Sequence, residues 1–209
     1  MPQKSRNQHA LEGLVLVILL AIFVSGCAIG TTRVQINHET LDRVENKKTG
    51  NILVKEFVDK RKDTQHIGNK RNGFGMVLGS IGTEEGVKLE TLLTKYFAEA
   101  IREAGYNTYI QGTQPGQAII DAIVDGEIVE FWLDLYMKVW HNTEVKLRAL
   151  NPVSQTVLWE KDLKSDQSNV LWIGATEEFE KVISESLTKA LNQAAKEFAS
   201  DEFYGTLKK

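Results

Sequence analysis

The stretch Val139-Trp140-His141-Asn142-Thr143-Glu144-Val145-Lys146-Leu147-Arg148-Ala149-Leu150 alternates in character along almost its whole length. Val139, Thr143, Val145, Leu147 and Ala149 share one parity, while Lys138, Asn142, Glu144, Lys146 and Arg148 share the other. A period of two belongs to an extended chain whose side chains point to opposite faces in turn, so the pattern predicts an antiparallel strand with one face on a core and one in water. His141 then falls on the inward side and Trp140 on the outward side. Asn151-Pro152-Val153-Ser154 supplies turn chemistry, and residues 157–163 are expected to pair back as the second arm of a hairpin.

Working outward from this hairpin, residues 118–133 read as a long strand interrupted at Asp125-Gly126, where a bulge is favoured over a tight turn. Residues 51–58, Asn-Ile-Leu-Val-Lys-Glu-Phe-Val, read as a further strand, and residues 106–110 as a returning one. Gly68, Gly73, Gly75, Gly79, Gly82 and Gly86 predict a long loop over 68–86. Two segments carry the other periodicity. Leu89, Leu92, Leu93, Tyr96, Phe97, Ala100, Ile101 and Ala104 recur at helical steps up to Gly105, and Phe179, Val182, Ile183, Leu187, Ala190, Leu191, Ala194 and Phe198 do so after Thr176. The combination predicts an α+β fold, a mostly antiparallel or mixed sheet packed on two amphipathic helices in a single domain over 51–209.

The beginning of the chain has a different logic. Lys4 and Arg6 precede an unbroken apolar run over 14–24, which is shorter than the roughly 20 residues a membrane-spanning helix needs. Val24-Ser25-Gly26-Cys27 closes that run. These residues resemble a bacterial lipobox, which implies cleavage after Gly26, a diacylglycerol thioether and an acylated amine at Cys27, and anchoring of the protein to a membrane through that residue. The expected organisation is a signal peptide over 1–26, a lipidated cysteine and polar tether over 27–50 with Val34 and Ile36 as a short strand, and the domain over 51–209. Ala28 follows in place of the Asp that retains many such proteins at the inner membrane, so the expected address is the outer membrane, facing the periplasm. Cys27 is the one cysteine of the chain, which suits an oxidising compartment where a stray thiol risks wrong pairing.

With 25 Lys+Arg against 28 Asp+Glu and a net charge of −3, the composition gives no support to a nucleic-acid partner. Motifs for chemistry are sparse. Phe74 and Gly75 occupy the positions where a phosphate-binding loop after Gly68 would need Lys and Ser or Thr. His38, His66 and His141 lack the spacing of a zinc site, and no cofactor is expected. Asp121, Asp125, Glu127, Glu130 and Asp134 offer carboxylates on one strand, the first three on one face and the last two on the other unless a bulge changes the phase. A solvated strand face explains them better than catalysis.

Positive charge gathers at Lys60, Arg61, Lys62, Lys70 and Arg71, against the net-acidic whole. Arg61, Lys62 and Arg71, with the aromatic residues Phe74, Trp140 and Trp172, are the candidate partner-binding residues.

The lipobox, the segment Phe57-Val58-Asp59-Lys60-Arg61-Lys62-Asp63, Asn72-Gly73-Phe74-Gly75 and Ala104-Gly105-Tyr106 together resemble the YajG-like family of bacterial lipoproteins. A broader likeness is to envelope domains such as the TolB amino-terminal domain, a sheet backed by two helices. The resemblance implies a non-enzymatic outer-membrane lipoprotein with a binding or assembly role toward an envelope protein or polymer. The alternative is an auxiliary subunit of an envelope lipid or solute transport system.

Overall fold

The computed structural model describes residues 30–72, 74–114, 116, 118–170 and 176–208. They form an α+β domain with one mixed sheet. Its strands are β1 (Thr32–Val34), β2 (Asn51–Val54), β3 (Val58–Asp59), β4 (Gly68–Arg71), β5 (Val77–Thr83), β6 (Asn107–Ile110), β7 (Ala122–Tyr136), β8 (Lys138–Leu150) and β9 (Val157–Asn169). The helices are α1 (Leu89–Glu103), α2 (Thr176–Phe198) and the short α3 (Asp201–Thr206). No helix among the described residues is long and apolar enough to cross a membrane.

The spine is the meander β7-β8-β9. β8 has the expected alternation, with Val139, His141, Thr143, Val145, Leu147 and Ala149 all buried. β9 runs past the expected end at 163 to Asn169, because its polar second half is held by the ladder to β8 and by α2, not by an apolar stripe. There Ser165 donates to the Ser186 carbonyl at 2.8 Å and Gln167 to Glu185 at 2.7 Å.

The other edge of β7 is shared in turn by β2, β3 and β4, each parallel to it, with Ile52 opposite Ala122, Val58 opposite Glu127 and Gly68 opposite Leu133. The expected continuous strand over 51–58 is therefore broken. Phe57 turns into the core and lies over Gly126, where an added Cβ would sit 2.6 to 2.8 Å from the ring carbons. Asp125-Gly126 itself stays in the ladder. The bulge falls three residues later, at Val129, where the register passes from Ile128↔Val145 to Glu130↔Glu144. It keeps Ile128, Phe131 and Leu133 inward and resets the phase, so Glu130, Trp132 and Asp134 share the outer face with Asp125 and Glu127.

Two further expectations are corrected. The glycine-rich stretch is not a long loop, because β4 and β5 form an antiparallel hairpin within it, placed by the small residues that let backbones approach. A Cβ at Gly79 would collide with the Gly30 carbonyl oxygen. Nor is 30–50 a free tether. β1 pairs parallel with β5, Val34, Ile36 and Val44 are buried, and the backbone N–H groups of Gln35, Glu39 and Asp42 donate to Glu180, Thr188 and Asn192 along α2, each at 2.8 Å.

Both helices lie on one face of the sheet. Leu93, Phe97 and Ile101 of α1 and Val182, Ile183, Leu187 and Leu191 of α2 are fully buried, each contributing about 1.5–3 kcal/mol on leaving water. α1 ends before Gly105, whose φ of +105° suits a left-handed cap. Trp159, Phe198 and Phe203 close the far end of the core with ring centroids 4.9 to 5.6 Å apart.

The contact of Phe57 with Gly126 is testable. Gly126→Ala is expected to cost about 1–3 kcal/mol through overpacking, measured as a lower midpoint of urea unfolding. An unchanged midpoint would show that the ring yields freely.

Candidate functional site

Arg61 occupies the interval that the break in β7's parallel edge creates. β3 pairs as far as Ile128, where Lys60 N–H donates to its carbonyl, and pairing resumes where Leu133 N–H donates to the Ile67 carbonyl. Between them the Arg61 guanidinium donates to the Phe131 carbonyl at 3.2 Å and the His66 carbonyl at 2.9 Å, while Asp59 receives its Nε and Nη2 at 3.0 and 2.7 Å. The Arg61 side chain is 5% exposed and that of Asp59 11%. As a partner-binding residue Arg61 is thus corrected: its donors are spent inside the fold.

The rest of the basic cluster is dispersed. Lys70 is buried, reaching across to Thr32 at 2.8 Å. Arg71 binds Asp134 at 2.9 Å and the Gly75 carbonyl at 3.2 Å, which ties the tip of the β4-β5 hairpin to the end of β7. Lys62 remains on the surface beside Arg61, Val129 and Trp132 in a hollow of about 460 Å³. Asp63 accepts from the His66 ring at 2.9 Å and does not join Asp59 in a ligand set. Among the described residues, no group of three or more His, Cys, Asp or Glu is placed to hold a metal ion.

The carboxylates of β7 are engaged across the sheet. Arg148 binds Asp125 at 2.9 Å and reaches Glu127 at 3.5 Å, and these partners raise its pKa further, the hydrogen bond to Asp125 foremost. Asn142 donates to Glu130 at 3.0 Å. These pairs lie on the outer face of the sheet, where each acid has a polar or cationic partner, and Glu130 also borders the hollow beside Trp132. Trp140 is half-buried on this face, with the Lys138 ammonium 6.0 Å from its ring centroid.

His141 is sealed in the core. Its ring meets Phe131 edge-on at 4.4 Å, Nδ1 is 3.5 Å from the Thr143 hydroxyl, and Nε2 has no partner among the described residues. Thr143 and Ser165 lead on to Ser186 of α2 at 3.4 and 3.3 Å, a buried polar seam that the apolar stripe of the helix did not announce. Burial pushes the His141 pKa from its ordinary 6.5 down to about 3, with the nearby Arg61 charge adding to the effect.

The conspicuous exposed feature is one end of the sheet. Phe74, at the tip of the β4-β5 hairpin, is 90% exposed, and Met76 and Val77 follow it, also exposed. Met137, at the apex between β7 and β8, is 79% exposed and has φ +61°, a left-handed conformation that costs a residue of this kind about 1–2 kcal/mol. Val170, just past the end of β9, is exposed at the same end, since Asn169 pairs with Val139. The sequence pointed to Phe74 alone. Met137 carried one usable signal, an apolar residue standing where a hairpin turn usually has Gly or Asn. Cys27, Gly26 and Trp172 lie outside the described residues.

A groove of about 840 Å³ runs beside the first turns of α1, lined by Glu56, Val87, Lys88, Leu92, Lys95 and Ile110. It lies at the surface. Its walls come from both α1 and the sheet, with Ile110 at the end of β6 facing the helix residues Leu92 and Lys95.

No family model matches the sequence. No curated protein matches it either. Among solved structures, the chain is similar to the protein XCC0632 from Xanthomonas campestris, described as family-model DUF330, with 13% identity and a TM-score of 0.57 over 78% of this chain and 92% of that one. This likeness shows a shared fold. Lipoprotein GNA1162 from Neisseria meningitidis gives 13% identity and a TM-score of 0.41 over 70% and 99% of the two chains. The PelC dodecamer from Paraburkholderia phytofirmans gives 9% and 0.43 over 76% and 93%.

Two outcomes are expected. Arg61→Ala leaves Asp59 buried without its cation and should cost about 3–5 kcal/mol, whereas Lys62→Ala should leave the unfolding midpoint nearly unchanged; equal effects would refute the bridging role. His141 stays neutral in the fold and protonates near pH 6.5 once unfolded, so the unfolded state binds more protons between pH 6.5 and 3. Its contribution is present above pH 6.5 and declines as the pH falls through that window, by about 1.4 kcal/mol per unit. In His141→Leu, urea unfolding measured from pH 7 to 4 should show a flatter pH dependence than in the parent chain.

Proposed function

We propose that the chain is a lipid-anchored protein of the bacterial outer membrane whose periplasmic domain has a non-catalytic binding or assembly role in the cell envelope. The observation that carries the reading is the meeting of motif and fold. Val24-Ser25-Gly26-Cys27 ends an apolar leader, and the ordered sheet is already engaged three residues later, where the Gly30 carbonyl accepts from Ser80 N–H at 3.2 Å. Acylation at Cys27 would therefore hold the sheet close to the bilayer, and two or more chains on that residue would make the attachment stable. The likeness to YajG-like lipoproteins rests on the sequence motifs and agrees with this reading, as does Ala28 for the outer-membrane address.

A binding role is supported by where the reactive groups have gone. The β7 carboxylates are paired with Arg148, Asn142 and Arg71, and the buried histidine has no path to solvent chemistry, while an apolar end stands exposed. The alternative, an auxiliary subunit of an envelope lipid or solute transport system, draws on the groove beside α1, whose Lys88 and Lys95 would suit an anionic ligand.

Cys27→Ala is the direct test. Fractionation of cells should find the variant in the soluble periplasm and the parent chain with the outer membrane. Retention of the variant in the membrane pellet would defeat the lipoprotein reading.

A further inference from the structure

We propose that the end of the sheet bearing Phe74, Met76, Val77, Met137 and Val170 inserts into the lipid interface and fixes the orientation of the domain on the membrane. The inference rests on the anchor at Cys27 and goes beyond it, because a lipid tether alone sets distance and not orientation.

Strand direction makes the case. β1 runs parallel to β5 with Thr32 opposite Ile81, so stepping back from Thr32 to Gly30 moves along β5 toward Val77 and the hairpin tip. Two contacts fix that course: the Gly30 carbonyl accepts from Ser80 N–H, and the Thr31 hydroxyl lies 2.7 Å from that of Ser80. Cys27 is three residues before Gly30, a reach of at most about 11 Å. Val77 is three residues before Ser80, about 10 Å along a strand. Cys27 is therefore within chain reach of the level at which the apolar tip stands.

The chemistry of that end fits lipid. Residues 72–80 contain no charged side chain, and 136–140 contain one cation, Lys138, and no anion. Arg71 is engaged by Asp134 behind the tip, and Lys138 is exposed beside Met137, where it would meet headgroup phosphates. Apolar side chains from three separate connections thus stand at one end of the sheet, and the apolar face of an amphipathic helix, the nearest analogue, lies about 5–10 Å into the headgroup boundary. At the opposite end of β8, the β8-β9 turn carries Val153, exposed but far along the strand from the anchor.

The test uses the full lipidated chain in vesicles of phosphatidylethanolamine and phosphatidylglycerol. Acylation consumes the only native thiol, so Phe74→Cys, Met137→Cys and Val153→Cys each present one site for an environment-sensitive fluorophore. All three positions are exposed, and equal thermal midpoints would confirm that the variants fold alike. The probes at 74 and 137 are expected to shift to the blue and to be quenched by lipids brominated in the acyl chain, while the probe at 153 stays aqueous. Three aqueous probes on vesicle-bound, acylated protein would overturn the insertion and leave the anchor standing. Probes shielded only when other envelope proteins are added would make the tip a protein contact and also overturn it. An unmodified Cys27 in the mass of the N-terminal peptide, with no flotation on vesicles, would overturn the anchor and the insertion together.

Discussion

The sheet depends on the guanidinium of Arg61. β7 is too long for any single partner on its parallel edge, so three short segments share it, and the chain must leave that edge between the second and the third. Leaving it would strand the Phe131 carbonyl near the core, and a buried polar group without a partner costs more than an ordinary hydrogen bond gains. Arg61 supplies the missing donor, binds the His66 carbonyl on the returning segment, and neutralises its own charge on Asp59. One side chain thereby replaces about two residues of strand. The planar fork of arginine suits this: it can serve two carbonyls and a carboxylate at once, which a lysine ammonium does less well.

The position of Arg61 is coupled to the Val129 bulge on the strand it serves. The bulge resets the side-chain phase of β7 beside the interval where strand pairing lapses, so the inward residues before and after it, Ile128 and Phe131, both reach the core. A regular ladder would have turned one half of β7 inside out. From there the order of the remaining strands follows. β4 can rejoin β7, β5 folds back on β4, and β1 adds to β5, which brings the beginning of the described chain to the end of the sheet where the apolar side chains stand.

Elements with one clear period were legible in the sequence. The alternation of β8 and the stripes of α1 and α2 correspond to faces that are buried along their whole length, so local pattern and tertiary burial agree. The misread elements are those held by something other than side-chain burial. β4 and β5 are rich in glycine because backbones pass close, at Gly68 and Gly79, and composition alone reads such residues as loop. The segment 30–50 looks like a tether because its backbone is held by polar side chains of α2, some 145 to 150 residues away in sequence. Asp125-Gly126 carries the composition of a turn, yet the glycine is there to admit Phe57. Arg61 was recognisable as a special residue, but its role depends on two carbonyls that only the folded chain brings together.

Charge and apolarity are divided between different parts of the surface, and this division bears on how the domain meets its surroundings. The outer face of the meander is rich in charge, but acids and bases oppose each other across the strands: Arg148 between Asp125 and Glu127, Lys146 with Glu160, Lys164 with Glu144. Exposed pairs of this kind contribute about 0–1 kcal/mol each, and their effect here is to leave the face without a dominant sign. A long-range field from that face is therefore weak, and salt weakens it further. The tip, by contrast, carries a single exposed cation, Lys138, and a methionine held in a strained turn where glycine would cost nothing. Strain persists where the surrounding structure enforces it, and here the register of β7 with β8 closes the turn on Met137. The asymmetry that could orient the domain is thus apolar, and it lies at the end of the sheet from which the chain leads back to Cys27.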